Sequence, residues 1–166
     1  IMRLSSWIPR TAYVAAAICA TLTVAIAGCG GGEDGEPVET IYRQRMRDFV
    51  QEISAYAKAI RPDFLIIPQN GEPLVVFQAA EDEPPAQLYL RAIDGIGRET
   101  VFCGQPRYNA RTPSDETDEI VGVLNIAEQA GVTVMVTDYC SRSSLVDESY
   151  ARAAELGYLS FVGSTG

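Results

Sequence analysis

Short apolar runs alternate with longer helical stretches from about residue 40 to the end of the chain. The runs begin near residues 64, 93, 132 and 158, and each is too short for a helix. Helix-like periodicity, or a Gly or Pro that stops a helix, separates one run from the next. Alternation of this kind predicts right-handed βαβ units and a parallel sheet. We therefore expect an α/β fold with about four parallel strands.

Four strands are half of an eight-stranded α/β barrel, which typically takes about 250 residues, so this chain of 166 residues is too short for a whole barrel. The first helix is expected over Thr40–Ile60, with apolar residues three or four apart on one face and charged residues on the other. The Thr112-Pro113 pair predicts the start of another helix, with Thr112 as its cap. The expected strands are Phe64–Ile67, Ile93–Arg98, Val132–Val136 and Tyr158–Val162.

Polar residues follow these expected strands. Glu99 comes directly after the second strand. In α/β barrels the carboxyl ends of the strands carry the chemistry, so Glu99 is the first candidate for a catalytic group. A glutamate in a surface loop, or at a barrel rim and paired with an arginine, is the competing interpretation.

The first 28 residues have the pattern of a secretory signal. Arg3 and Arg10 precede an apolar stretch without a charge from Ala12 to Ala27. Gly28 and Cys29 follow, and this ending resembles a bacterial lipoprotein signal with Cys29 as the lipidated residue. Residues 29–39 would then be a flexible tether on the extracytoplasmic face of a membrane in the bacterial cell envelope. A plain transmembrane anchor is the alternative, although a span needs roughly 20 apolar residues.

Composition restricts the partners and the chemistry. The net charge of -9, which becomes more negative once the signal is removed, disfavours nucleic acid. It is compatible with a cationic polymer such as an amino sugar chain, and solubility explains it equally well. The chain has no His, which excludes His-based triads and most zinc sites. We expect no metal and no cofactor.

Cys103 and Cys140 each follow an expected strand end. An oxidising compartment would permit a disulfide between them, and two unpaired thiols are the other interpretation.

Four segments together resemble a known enzyme family. They match the C-terminal half of the endo-alpha-1,4-polygalactosaminidase family, that is glycoside hydrolase family 114, whose members are (β/α)8 barrels. The resemblance covers roughly Thr40 to Gly166 and implies that the four strands are the fifth to the eighth of the barrel. The matching segments are residues 45–53, 64–71, 92–99 and 136–140.

The resemblance also implies roles for the polar residues at the strand ends. Glu99 would be one member of the catalytic carboxylate pair, acting as general acid or base at the glycosidic oxygen. Gln69 and Asn70 would line the sugar cleft by hydrogen bonds. Asp138 would hold a sugar amine by charge, and Tyr139 would stack on a sugar ring. Ordinary rim packing and capping is the alternative for the last two.

The second carboxylate of the family, an Asp at the end of the fourth strand, has no counterpart here, because residues 30–37 occupy that place. The expected activity is hydrolysis of a galactosamine-containing polysaccharide, and the alternative is an inactive or carbohydrate-binding half-barrel remnant. A homodimer that completes the barrel would bring two Glu99 residues to one mouth. The Ile1-Met2 start and the missing eighth helix favour a third interpretation, a deletion or assembly product.

Overall fold

The computed structural model describes residues 38–77 and 84–164. The expected signal over residues 1–28, Cys29 and the tether up to residue 37 lie outside these ranges. Within them, no helix combines the length and the apolar character that crossing a membrane requires.

The described chain is an α/β fold with one three-stranded parallel sheet in the order β1-β2-β3. A short 3-10 turn at Glu72–Leu74 lies between the first two helices. The prediction of alternating helices and parallel strands is confirmed for this part. The elements are α1 (Val38–Ile60), α2 (Gln87–Ala92), β1 (Gly95–Glu99), α3 (Ser114–Gln129), β2 (Thr133–Tyr139), α4 (Ser143–Glu155) and β3 (Leu159–Gly163).

The strand expected at Phe64–Ile67 is wrong as a strand, because these residues belong to no strand of the sheet and only Gln69, two positions further on, makes an isolated parallel bridge, to Gly97. Its backbone still follows β1: Gly97 N–H donates to the Pro68 carbonyl at 2.9 Å, and Asn70 N–H donates to the Gly97 carbonyl at 2.8 Å. The ladder stays incomplete because Pro68 has no N–H to donate. We call residues 64–69 the edge segment.

The two faces of the sheet have different environments. Ile96, Val134 and Val136 alternate along the strands and are buried in the core with helix residues such as Leu124 and Ala153. The intervening residues point to the opposite side, which we call the open face. Cross-strand register places on it Gly97, Glu99, Met135, Thr137, Tyr139, Leu159 and Phe161.

Helix α1 packs on the molecule through Val50 and Ala57, which lie against the core, and through two polar side chains. Arg47 is only 2% exposed, and its guanidinium donates to the main-chain carbonyls of Leu74, Val76 and Phe77. Further along the helix, Ser54 Oγ donates to the Ala92 carbonyl at 2.6 Å. Six large apolar side chains of the helix lie on its solvent side, and we call them the α1 stripe: Tyr42, Met46, Phe49, Ile53, Tyr56 and Ile60.

A disulfide joins Cys103 and Cys140, so the first of the two interpretations of these cysteines is confirmed. Together with Leu145 they form a small second core. The bond connects the loop after β1 to the end of β2, just beyond the carboxyl edge of the sheet.

Candidate functional site

Glu99 ends β1 on the open face, and its carboxylate has two side-chain partners. Tyr139 Oη donates to Oε1 at 2.8 Å, and Asn70 Nδ2 lies 3.4 Å from Oε2. Glu99 N–H in turn donates to Asn70 Oδ1 at 3.1 Å. Three separate chain segments thus meet at one carboxylate, and three of the five side chains predicted from the sequence lie in this cluster.

Gln69 lies beside the cluster, across the surface of Gly97. A Cβ atom on Gly97 would overlap Gln69 Oε1. The side-chain amide of Gln69 can lie on the open face at this point because Gly97 has no side chain. Gln69 Nε2 lies 3.4 Å from Asn70 Oδ1. The structure therefore adds a fourth predicted residue to the group.

Backbone conformations with positive φ occur on both sides of Glu99. Asn70 has φ 52° and Thr100 has φ 55°. Asn tolerates this region, whereas a β-branched Thr is strained in it. Contacts hold Thr100 in place: its N–H donates to the Thr137 carbonyl at 2.9 Å, and its carbonyl accepts from Thr112 Oγ1 at 2.8 Å. Strain of this kind is frequent at functional sites, and here it occurs at the residue directly after Glu99.

Arg98, the residue before Glu99, also contacts the cluster. Arg98 Nη1 donates to the Glu99 carbonyl at 3.0 Å and lies 3.4 Å from Asn70 Oδ1. Its Nε lies 3.0 Å from the Glu72 carboxylate, and both side chains are largely buried. The carboxylate that pairs with this arginine is therefore Glu72 and not Glu99. Sequence reasoning missed Arg98 and Glu72, since no motif marks a pairing between residues 26 positions apart, with loop and helix between them.

Asp138 is not part of the cluster. It points to the helix side of the sheet and is fully buried, with Oδ1 accepting from Phe102 N–H at 3.1 Å and Oδ2 from Ser149 Oγ at 2.6 Å. Burial raises the pKa of Asp138, and the hydrogen bonds offset part of that rise. The predicted ion pair with a sugar amine does not fit this placement, because both oxygens are occupied and away from solvent. The alternative of packing and capping describes the observed contacts.

The cluster offers hydrogen-bonding groups suited to a polar ligand. Its members supply one carboxylate, two side-chain amides and a phenol. The hydrogen bond to Glu99 raises the pKa of Tyr139, with smaller contributions from burial and from the charge of Glu99. Over the described ranges, no group of three or more acidic or cysteine side chains is arranged to hold a metal ion.

The chain is similar to an uncharacterized protein of Deinococcus radiodurans, with 28% identity over 123 residues. The match covers 73% of this chain and 36% of that protein, so the chain spans about a third of the length of its relative. No family model matches the chain.

Proposed function

We propose that this protein is a glycoside hydrolase of the polygalactosaminidase type, with Glu99 as a general acid or base. The observation that carries the proposal is the position of Glu99 at the carboxyl edge of a parallel sheet, where Tyr139 and Asn70 orient its carboxylate. The resemblance of four ordered segments to the polygalactosaminidase family supports the same role.

The proposed fold is the C-terminal half of a (β/α)8 barrel. In that arrangement the edge segment, β1, β2 and β3 take the places of the fifth to the eighth strands. Gln69 and Asn70 would hydrogen-bond sugar hydroxyls, and Tyr139 would stack on a ring while holding Glu99. Glycoside hydrolysis needs a second carboxylate about 5–9 Å from the first. The described cluster contains one, so a second must come from outside it.

The proposed location is the extracytoplasmic face of a bacterial membrane, with Cys29 lipidated after removal of residues 1–28. The disulfide between Cys103 and Cys140 supports an oxidising compartment. The net charge of -9 suits a substrate with protonated amino groups.

The test is hydrolysis of an alpha-1,4-linked galactosamine oligosaccharide by the full chain, followed as release of reducing ends. Because proton transfer is worth about 10²–10⁴-fold in rate, Glu99→Gln should lower the rate by that factor. Glu155→Gln, an exposed position at the end of α4, is the matched control and should leave the rate unchanged. Hydrolysis that survives in Glu99→Gln would contradict the assignment.

The second candidate is a carbohydrate-binding or inactive half-barrel. The presence of only one carboxylate in the described cluster favours it. In that case neither the wild type nor Glu99→Gln would release reducing ends. Replacing Gln69 or Asn70 with Ala would then weaken binding of the oligosaccharide, and neither the wild type nor the variants would hydrolyse it.

A further inference from the structure

Most of the exposed large apolar side chains lie on three surfaces of the described chain. The first is the α1 stripe, in which Tyr56 is 74% exposed. The second is the edge segment, and the third is the open face of β3. The edge segment and β3 contribute Phe64, Leu65, Ile67, Leu159 and Phe161, which are between 44% and 63% exposed. Patches of this size usually mark an interface.

The two borders of the sheet are complementary. The edge segment runs parallel to β1 along one border, and β3 runs parallel to β2 along the other. The N–H groups of the edge segment that alternate with its bonds to β1, at Leu65, Ile67 and Gln69, point outward. Two copies related by a twofold axis can therefore pair the edge segment of each with β3 of the other, in the parallel sense that the rest of the sheet uses.

The number of elements agrees with a closed ring. The described residues of each copy form four helices and four extended segments, counting the edge segment with β1, β2 and β3. Helix α1 precedes the edge segment, so in the ring it follows the partner's β3 and covers that junction. Its α1 stripe, exposed in one copy, would pack there. Two copies of residues 38–164 come to about 250 residues, the usual size of an eight-stranded α/β barrel.

The apolar area is large enough for a stable dimer. Eleven side chains on the three surfaces, at roughly 100 Å² each, would bury on the order of 1,000 Å² per copy. A standard interface buries about 800 Å² per partner. We propose that the occupant of these surfaces is a second copy of this chain, and that the two copies close one eight-stranded α/β barrel.

The dimer would complete the site. β1 is the second of four extended segments, so the twofold axis places it opposite the partner's β1 across the barrel. Residues that face each other meet in the interior of an eight-stranded barrel, since it is only wide enough for side chains. The two Glu99 carboxylates would then form the pair that glycoside hydrolysis needs. This last step rests on the proposed function, whereas the dimer itself does not.

One contact in the single chain opposes the pairing. Tyr150 Oη accepts from Val162 N–H at 3.2 Å and so covers part of the β3 border. This hydroxyl must move when the partner's edge segment docks. Removing it should therefore favour the dimer.

The experiment is sedimentation equilibrium of the full chain in density-matched detergent, with no sugar present. The wild type should have twice the mass of the 18.0 kDa chain, after any processing. Leu159→Asp should give the single-chain mass, because it places a charge on the apolar junction. Leu88→Asp is the matched control, since Leu88 is 70% exposed on α2 and belongs to none of the three surfaces, and it should remain dimeric.

Two further variants make the result independent of misfolding. Tyr56→Glu changes a side chain that is exposed in the single chain and should weaken the dimer at least tenfold with an unchanged circular dichroism spectrum. Tyr150→Phe should strengthen it. A wild type of single-chain mass, which would indicate that a different polypeptide covers these surfaces, overturns the proposal. So does a dimer that Leu159→Asp and Tyr56→Glu leave intact. A dimer without hydrolysis would contradict only the proposed function.

Discussion

Glu99 depends on its neighbours for a defined direction. Tyr139 and Asn70 reach its two oxygens from different segments, and Thr100, directly after Glu99, has a positive φ that its hydrogen bonds to Thr137 and Thr112 hold. A solvent-exposed glutamate without these contacts would sample several rotamers. The cluster is thus arranged before any ligand arrives, which is what an acid–base group requires.

The Tyr139–Glu99 hydrogen bond gives a prediction that needs no substrate. Because this bond is the main reason that the pKa of Tyr139 is raised, Glu99→Gln should lower the pH at which Tyr139 ionises. A difference titration of phenolate absorbance between the wild type and Glu99→Gln measures the effect. Tyr139→Phe removes the signal of this residue and identifies it among the eight tyrosines. Identical titration curves would argue against the contact.

Asp138 predicts a pH dependence of stability. Its folded-state pKa is raised by burial, so the folded state holds the proton more tightly than the unfolded state. Its stabilising contribution is complete below the ordinary carboxyl pKa near 4 and is lost as the pH rises through the folded value. Asp138→Asn should therefore lose less stability than the wild type between acidic and neutral pH. Thermal unfolding at several pH values compares them, with Asp147→Asn as a control.

At the scale of elements, α1 illustrates how a polar residue anchors a helix. Arg47 places its charge among three carbonyl oxygens, and burial lowers its pKa. Arg47→Met should lower the free energy of unfolding by about 2–4 kcal/mol, since those carbonyls lose a charged donor. The exposed Arg45→Met is the control, with a change within about 0.5 kcal/mol. Urea denaturation measures both, and equal losses would contradict the anchoring role.

Periodicity predicted the elements well where local sequence decides them. β1, β2 and β3 lie within a few residues of their predicted positions, and α1 and α3 begin within a few residues of theirs. The orientation of α1 could not be predicted, because its amphipathic pattern does not say which face packs. The prediction of Thr112 as a helix cap was wrong. Its hydroxyl donates to the main-chain carbonyl of Thr100 at 2.8 Å, and α3 begins at Ser114. That bond joins positions twelve apart through a loop, which no local rule describes.

The candidate site shows the same limit. Glu99, Asn70 and Tyr139 could be predicted together because strand ends meet at one edge of a parallel sheet. Asp138 lies at the same edge, but alternation along β2 turns it to the opposite face from Tyr139. Arg98 and Glu72 could not be found, because their pairing depends on how the loop at Glu72–Leu74 folds back on β1.

At the scale of the whole molecule, the disulfide connects the two strands that carry the site. Cys103 and Cys140 are 37 positions apart, so removing the bond frees a long loop in the unfolded chain. Replacing both with Ala should lower the free energy of unfolding by about 3–4 kcal/mol. Denaturation of the double variant measures the loss. The wild type under reducing conditions should match it, and a reductant-insensitive midpoint would contradict the bond.

The proline in the edge segment has a consequence for growth of the sheet. Its two borders are complementary, and complementary borders that do not close into a ring can add copies without end, as fibrils do. Pro68 ends the apolar run of the segment after Ile67, so a strand added out of place finds only a short apolar template. The residue that keeps this segment from being a regular strand thereby also limits polymerisation.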